Sequence, residues 1–166
     1  LDALSTRGVP NYFGPQRFGM RGDTWQVGLA MLRDDPAEAV AVMLGRPAPA
    51  DHGEVLEARQ LYERGDYEAA VDAWPHPFHN ERRLCRALAK ADGDARKAFK
   101  ALDKKLKRFF FSAYQSPLFN QVVARRLGAL DELWQGDLAW RHPQGAIFKV
   151  EDVERERPRC ESFEIS

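Results

Sequence analysis

The chain has 166 residues, of which 44% are hydrophobic and 30% are charged, and this composition fits a folded globular domain rather than a disordered one. No apolar run approaches the roughly 20 residues of a membrane-spanning helix, and the N-terminus lacks the pattern of a secretory signal. The two cysteines, Cys85 and Cys160, suit neither a disulfide framework nor a paired metal site. We therefore expect a cytoplasmic location, with no membrane partner and no metal.

The formal net charge is zero, but acids and bases are unevenly distributed. Residues 51–72 contain seven acids and two bases, whereas residues 95–126 contain nine bases and one acid. Such a basic stretch is either a solvated helix face or a surface for nucleic-acid phosphates. Bases at helical spacing on one predicted face are the candidate RNA backbone contacts: Lys97, Lys100, Lys104, Lys107 and Arg108.

The first 20 residues predict loop and short strand, and helices follow them. Asp23 is the predicted N-cap of the first helix. Asp35, Pro36 and Glu38 form a capping box with proline at the first helical position, which predicts the start of the second helix. The predicted helices span about 23–33, 36–44, 52–64, 67–74 and 80–91.

The stretch from about 94 to 126 is helical by composition, but Pro117 lacks the N–H group that a continuous helix uses. Because Ser116 can cap and proline suits a first helical position, we predict two abutting helices with a bend there. Beyond Gly128 the pattern changes to short extended segments. These are predicted over 137–140, 146–152 and 162–166. The expected fold class is therefore α+β, mostly helical with a small sheet.

Three local features have both a structural and a functional interpretation. Residues 58–74 imitate one tetratricopeptide helix pair, but no second copy occurs, so a plain helical hairpin is favoured. His76, His79 and Cys85 lack the second close pair of a zinc site, so loop and core roles are favoured. At least two of the three phenylalanines at 109–111 are predicted to lie in the core.

Three blocks carry a resemblance to a known family. They are NYFGPQRFG at 11–19, RFFFSAYQSPLFNQVVARR at 108–126, and the stretch 136–166 with its GDLAW, AIFKVED and FEIS segments. In this order they resemble the TruD family of tRNA pseudouridine synthases, in which the first block lines the uridine pocket. The resemblance extends from one end of the chain to the other.

The resemblance implies a division of the chain. Residues 1–36 are expected to be the end of the catalytic core, carrying the first block, and residues 37–166 a TRUD-type insertion domain that is incomplete at its C-terminal end. The family's catalytic aspartate lies in a Lys-Asp motif well upstream of the first block, whereas Asp2 precedes that block by only a few residues. We therefore expect no catalytic residue within this chain, no activity from the chain alone, and the missing catalytic segments as a partner.

In the complete enzyme, the resemblance implies isomerisation of a specific uridine in tRNA to pseudouridine without cofactor or metal. An aspartate attacks the uridine, the glycosidic bond breaks, the uracil turns and C5 rejoins the sugar. Phe13 is then expected to stack on the flipped base or to form a wall beside it, and stacking would recover roughly 1–3 kcal/mol of the cost of extracting it. Asn11 is expected to hydrogen-bond the uracil edge or the catalytic aspartate, and Arg17 to bind a phosphate or form a structural ion pair. Tyr12, on the opposite face of a strand, is expected in the core.

Two alternatives remain open from the residues alone. One is an RNA-binding module without catalysis, which uses the basic stretch. The other is a helical protein-interaction domain built on the 51–74 hairpin. Salt dependence separates them, because phosphate contacts weaken with salt and an apolar interface does not. In either case a monomer is expected.

Overall fold

The computed structural model describes residues 9–166 and shows a mostly helical α+β fold, which confirms the expected class. Asp2 and the rest of the first eight residues lie outside the described part. The helices are α1 (Thr24–Leu32), α2 (Pro36–Leu44), α3 (Gly53–Glu63), α4 (Tyr67–Ala73), α5 (His79–Lys90), α6 (Ala95–Phe99), α7 (Lys104–Arg126) and α8 (Val153–Glu161). The strands are β1 (Leu138–Arg141) and β2 (Ala146–Lys149), which pair in antiparallel fashion. In the described residues, none of these helices combines the length and apolar character of a membrane span.

The chain divides into two compact units by its contacts in space. One unit comprises residues 12–122, and the other combines residues 123–166 with residues 9–11. The boundary at residue 36, expected from the resemblance, concerns the family's domain organisation and stays a prediction.

Local sequence signals fix several helix starts. The Asp35 carboxylate accepts a hydrogen bond from the Glu38 N–H at 2.9 Å, so the predicted capping box is confirmed. Asp94 caps α6 in the same way, through the N–H of Lys97 at 3.0 Å. Asp23 precedes α1 but makes no capping hydrogen bond, because its carboxylate pairs with the Arg21 guanidinium at 3.1 Å.

The predicted division into two abutting helices at Pro117 is wrong, because α7 continues through this proline. The helix break lies earlier, at residues 100–103, where Leu102 is buried and Asp103 accepts a hydrogen bond from the Lys105 N–H at 2.6 Å. Ser116 does not cap a helix. Its hydroxyl donates to the Ser112 carbonyl at 2.9 Å within α7. A proline inside a helix costs about 3 kcal/mol, and burial of side chains along α7, Phe110 among them, offsets such a cost.

The core of the 12–122 unit is formed by α1 to α6 and the N-terminal half of α7. Its largest fully buried side chains include Trp74, Leu44, Leu84 and Leu88. Within the phenylalanine triplet, Phe110 is buried, Phe109 packs against the core and Phe111 is exposed, as predicted. Helices α1 and α7 approach closely at Gly28, where an added Cβ would lie 2.2 Å from the Phe110 carbonyl oxygen. Only glycine fits this contact without a shift of the backbone.

The second unit has its own small core of Ala139, Val150 and Ile165. The chain end lies along β1, where the Trp140 N–H donates to the Ser166 carbonyl at 2.7 Å, so the predicted extended segment at 162–166 pairs at its last residues. The predicted strand 146–152 ends at Lys149, because Asp152 caps α8 by accepting a hydrogen bond from the Arg155 N–H at 3.2 Å. Helix α8 was not anticipated from the sequence.

Candidate functional site

The loop formed by residues 12–19, here called the Phe13 loop, is fastened to α7 by one asparagine side chain. The Phe13 N–H donates to Asn120 Oδ1 at 2.9 Å, and Asn120 Nδ2 donates to the Phe13 carbonyl oxygen at 3.0 Å. A side-chain amide thus pairs with both backbone groups of one residue, as a neighbouring strand would. The first and second sequence blocks meet at this point.

The Phe13 ring is partly buried and partly exposed to solvent. It packs edge-on against Phe119, with ring centroids 5.4 Å apart and planes at 70°. The exposed fractions of Phe13 and Phe119 are 40% and 41%. Because Asn120 fixes the backbone and Phe119 supports the ring, the exposed surface of Phe13 has a defined position for a planar ligand to contact.

The side chain of Arg17 extends from the Phe13 loop to α7. Its Nη2 donates to Ser112 Oγ and its Nε donates to Ser116 Oγ at 3.3 Å. The guanidinium carbon lies 5.3 Å from the ring centroid of Phe13 and 5.4 Å from that of Phe109, which is cation–π distance. Within residues 9–166 hydroxyls and aromatic rings hold Arg17, and no carboxylate of these residues pairs with it.

Two further residues of the first block have simpler surroundings. Tyr12 is 41% exposed and lies in no strand, so its predicted place in the core is wrong. The physical reason is that residues 9–14 form no strand, so no strand alternation directs the Tyr12 side chain towards a core. Asn11 is exposed, as a residue that contacts a ligand would be.

The candidate RNA contacts do not share one helix. Lys97 belongs to α6 and Lys100 follows it, whereas Lys104, Lys107 and Arg108 belong to α7, and the break at 100–103 interrupts the predicted common face. Intrachain contacts also engage two of these bases. Lys97 Nζ lies 3.3 Å from an Asp94 carboxylate oxygen, and Lys107 Nζ lies 5.2 Å from the Phe99 ring centroid.

The histidines and cysteine weighed as metal ligands are separated in the structure. Cys85 is fully buried in the core, and burial raises the pKa of its thiol to about 12. The rings of His76 and His79 lie 5.2 Å apart at the surface, edge to face. In the part of the chain that the structure describes, no group of three side chains is arranged to hold a metal ion.

Sequence reasoning assigned no functional role to three polar residues of α7 that make the site. Ser112, Ser116 and Asn120 recur every fourth residue, so they lie on one helix face, and that face contacts Phe13 and Arg17. The signal was present in the sequence as polar residues at intervals of four. Nothing in one sequence says which loop such a stripe meets.

Comparisons with known proteins agree with the three blocks. The family model for tRNA pseudouridine synthase D (TruD) matches residues 1–166. The chain is 41% identical over 166 residues to tRNA pseudouridine synthase D of Geobacter sulfurreducens, covering 100% of this chain and 41% of that protein. The identity to the enzyme of the same name from Syntrophotalea carbinolica is also 41%, covering 100% of this chain and 42% of that protein.

A solved structure agrees as well. The crystal structure of a Methanosarcina mazei protein assigned to tRNA pseudouridine synthase D (TruD) superposes with a TM-score of 0.81 at 27% identity, covering 99% of this chain and 40% of that one. The chain thus spans about two fifths of the length of the relatives it matches. Because the family model matches every residue and the fold agrees, the chain belongs to the TruD family of tRNA pseudouridine synthases.

Proposed function

We propose that this chain supplies part of the uridine pocket of an enzyme that isomerises a specific uridine in tRNA to pseudouridine. The observation that carries the proposal is the half-exposed Phe13 ring, positioned by the two hydrogen bonds between its backbone and Asn120. A flipped uracil needs a fixed aromatic surface, because stacking on it recovers roughly 1–3 kcal/mol of the unstacking cost. The relatives' name, tRNA pseudouridine synthase D, supports the same substrate.

In this proposal Phe13 stacks on the target base and Asn11 hydrogen-bonds the uracil edge or the catalytic aspartate. Arg17 supports the Phe13 ring from one side, with its guanidinium 5.3 Å from the ring centroid. Its guanidinium, which pairs with no carboxylate of residues 9–166, also suits a nearby phosphate of the bound RNA. No cofactor enters the proposed reaction, because an attacking carboxylate and a turning uracil account for the isomerisation.

We propose that the attacking aspartate comes from outside this chain. The first three aspartates after the Phe13 loop are engaged in structural roles, which supports this view. Asp23 pairs with Arg21, Asp34 pairs with Arg96 at 3.0 Å, and Asp35 caps α2. The missing catalytic segments are therefore the expected partner of this chain.

Release of tritium from tRNA labelled at C5 of uridine tests the proposal. The 166-residue chain alone is expected to release none, whereas the chain joined to the remaining segments of a family member, on both sides of it, is expected to turn over. Clear turnover by the chain alone would show that the nucleophile lies within it. No release by the joined protein on any tRNA would contradict the assigned reaction.

RNA binding without catalysis is the second candidate function for the chain by itself, and the basic surfaces of the 12–122 unit favour it.

For a tRNA substrate we propose a cytoplasmic location, and the two unpaired cysteines fit a reducing compartment. The monomeric state remains a prediction.

A further inference from the structure

A groove with a volume of about 640 Å³ runs along α5 and opens to solvent. Six of its lining side chains are basic or imidazole groups: His76, His79, Arg82, Arg83, Arg86 and Lys90. The remaining lining residues are Asn80, Ala87 and Ala101, so no carboxylate lines the groove. A concave surface with charges of one sign focuses the electrostatic potential and concentrates ions of the opposite sign.

The sequence of α5 places the basic groups on one side of the helix. His79, Arg83, Arg86 and Lys90 recur at intervals of three and four residues and span roughly 16 Å at 1.5 Å per residue. The opposite side holds the buried Leu84, Cys85 and Leu88. Because the apolar side is fixed in the core, the basic side faces the groove permanently.

The distal bases of the groove are not neutralised by the protein. Arg83, Arg86 and Lys90 are exposed, and none of them forms an ion pair with a carboxylate of residues 9–166. Arg82 differs, because its Nη1 donates to the Trp74 carbonyl oxygen at 3.2 Å. Glu81, the acid of α5, lines a different cavity and does not compensate them.

We propose that the α5 groove binds the phosphodiester backbone of RNA, with Arg83, Arg86 and Lys90 as the phosphate contacts. A guanidinium fork matches two phosphate oxygens and an ammonium group binds them as a point charge. The lining contains no Phe, Tyr or Trp on which bases stack, so the contacts position the RNA and do not read its sequence. The proposal deepens the proposed function and rests on it for the choice of tRNA as the RNA.

The test measures the affinity of the 166-residue chain for unmodified transcribed tRNA across a series of KCl concentrations. The variant R83Q/R86Q/K90Q is expected to lower the slope of log affinity against log salt by about two to three, at 0.7–0.9 for each lost phosphate contact. The matched control R33Q/R64Q/K149Q removes the same charge from exposed positions outside the groove, and we expect it to keep the wild-type slope. Equal slopes in the two variants would overturn the proposal.

Two further measurements test whether charge makes the contact and which class of ligand binds. The charge-preserving variant R83K/R86K is expected to retain the wild-type slope, and loss of the slope in this variant would contradict a phosphate contact by charge. If polyglutamate, and not tRNA, binds through the same three residues, the groove is a protein-docking site and the proposal is wrong. Tritium release is a separate readout, so a groove that binds RNA and a failed isomerisation are told apart.

Discussion

The Phe13 loop and the α5 groove, both within residues 12–122, present different kinds of surface to a ligand. In the loop, each group has a protein partner: Asn120 pairs with the Phe13 backbone, and two serines and two rings surround Arg17. In the groove, the bases Arg83, Arg86 and Lys90 are exposed and have no carboxylate partner in the described chain. The loop fixes geometry, and the groove supplies charge.

This difference separates two properties of an RNA-modifying protein. A surface with fixed geometry determines how fast a positioned base reacts, and its contribution is insensitive to salt. A surface of unpaired bases determines how tightly the backbone is held, and its contribution weakens as counterions compete. Variants of the Phe13 loop are therefore expected to change the reaction rate, whereas variants of the α5 groove are expected to change the salt dependence of binding.

The largest effect is expected from Phe13→Ala in a protein that also contains the remaining catalytic segments of a family member. Loss of stacking worth roughly 1–3 kcal/mol lowers the single-turnover rate about ten- to a hundredfold. The salt dependence of tRNA binding is expected to stay unchanged. Phe163→Ala, which removes an exposed ring outside the loop, serves as the control. A wild-type rate in the Phe13 variant would remove this residue from the pocket.

A smaller loss, about tenfold in rate, is expected from Asn120→Ala. The variant removes both hydrogen bonds to the Phe13 backbone, each worth about 1 kcal/mol net, and leaves every aromatic ring in place. Hydrogen exchange of the Phe13 amide should accelerate, because its acceptor is gone. Gln121→Ala, an exposed neighbour on α7, should change neither quantity. Unchanged exchange at Phe13 would show that Asn120 does not hold the loop.

A weaker effect, seen only in the salt slope, is expected from replacing Lys100, Lys104 and Lys107 by glutamine. These bases flank the helix break at 100–103, and Lys107 already contacts the Phe99 ring, so fewer of them are free to meet phosphate. We expect a slope change below that of the α5 variant and a stability change within about 0.5 kcal/mol. A slope change equal to or above that of the α5 variant would reverse the ranking of the two surfaces.

The smallest effect concerns the Cys85 thiol on the buried side of α5. Because burial raises the pKa of Cys85 to about 12, only about one thiol in ten thousand is ionised at pH 8, and the thiolate is the reactive form. Cys160 is partly buried, and we expect iodoacetamide to modify it before Cys85. In R83Q/R86Q/K90Q the same order should hold, which shows that α5 remains packed. If Cys85 is modified early in that variant, the variant's loss of tRNA binding is due to unfolding.

The structural features that were predicted correctly from the sequence depend on local interactions. The Asp35 capping box involves residues three apart, and it appears in the structure as expected. The three blocks were sufficient for the family because their order is specific. Pro117 was misread since the rule for proline in helices is local, whereas the packing of Phe110 and its neighbours along α7 is tertiary. Helix α8 was missed because its nine residues are mostly charged and include Pro158.

The two surfaces were not predictable for a related reason. The polar stripe that contains Asn120 is visible in the sequence, but its partner lies 107 residues away along the chain. The bases of α5 have helical spacing, yet they are fewer than those of residues 95–126, where the sequence concentrates charge. Concavity and freedom from ion pairs distinguish the α5 groove, and both are properties of the folded chain.

The pairing between Asn120 and residue 13 uses only main-chain atoms of that residue. Any amino acid except proline retains the N–H and C=O groups that Asn120 binds, so the anchor does not depend on which side chain stands at position 13. This makes the position a suitable point for inserting an unnatural aromatic amino acid, such as a fluorinated phenylalanine. The fluorine resonance would then report the arrival of the target base, with the loop held as in the parent protein.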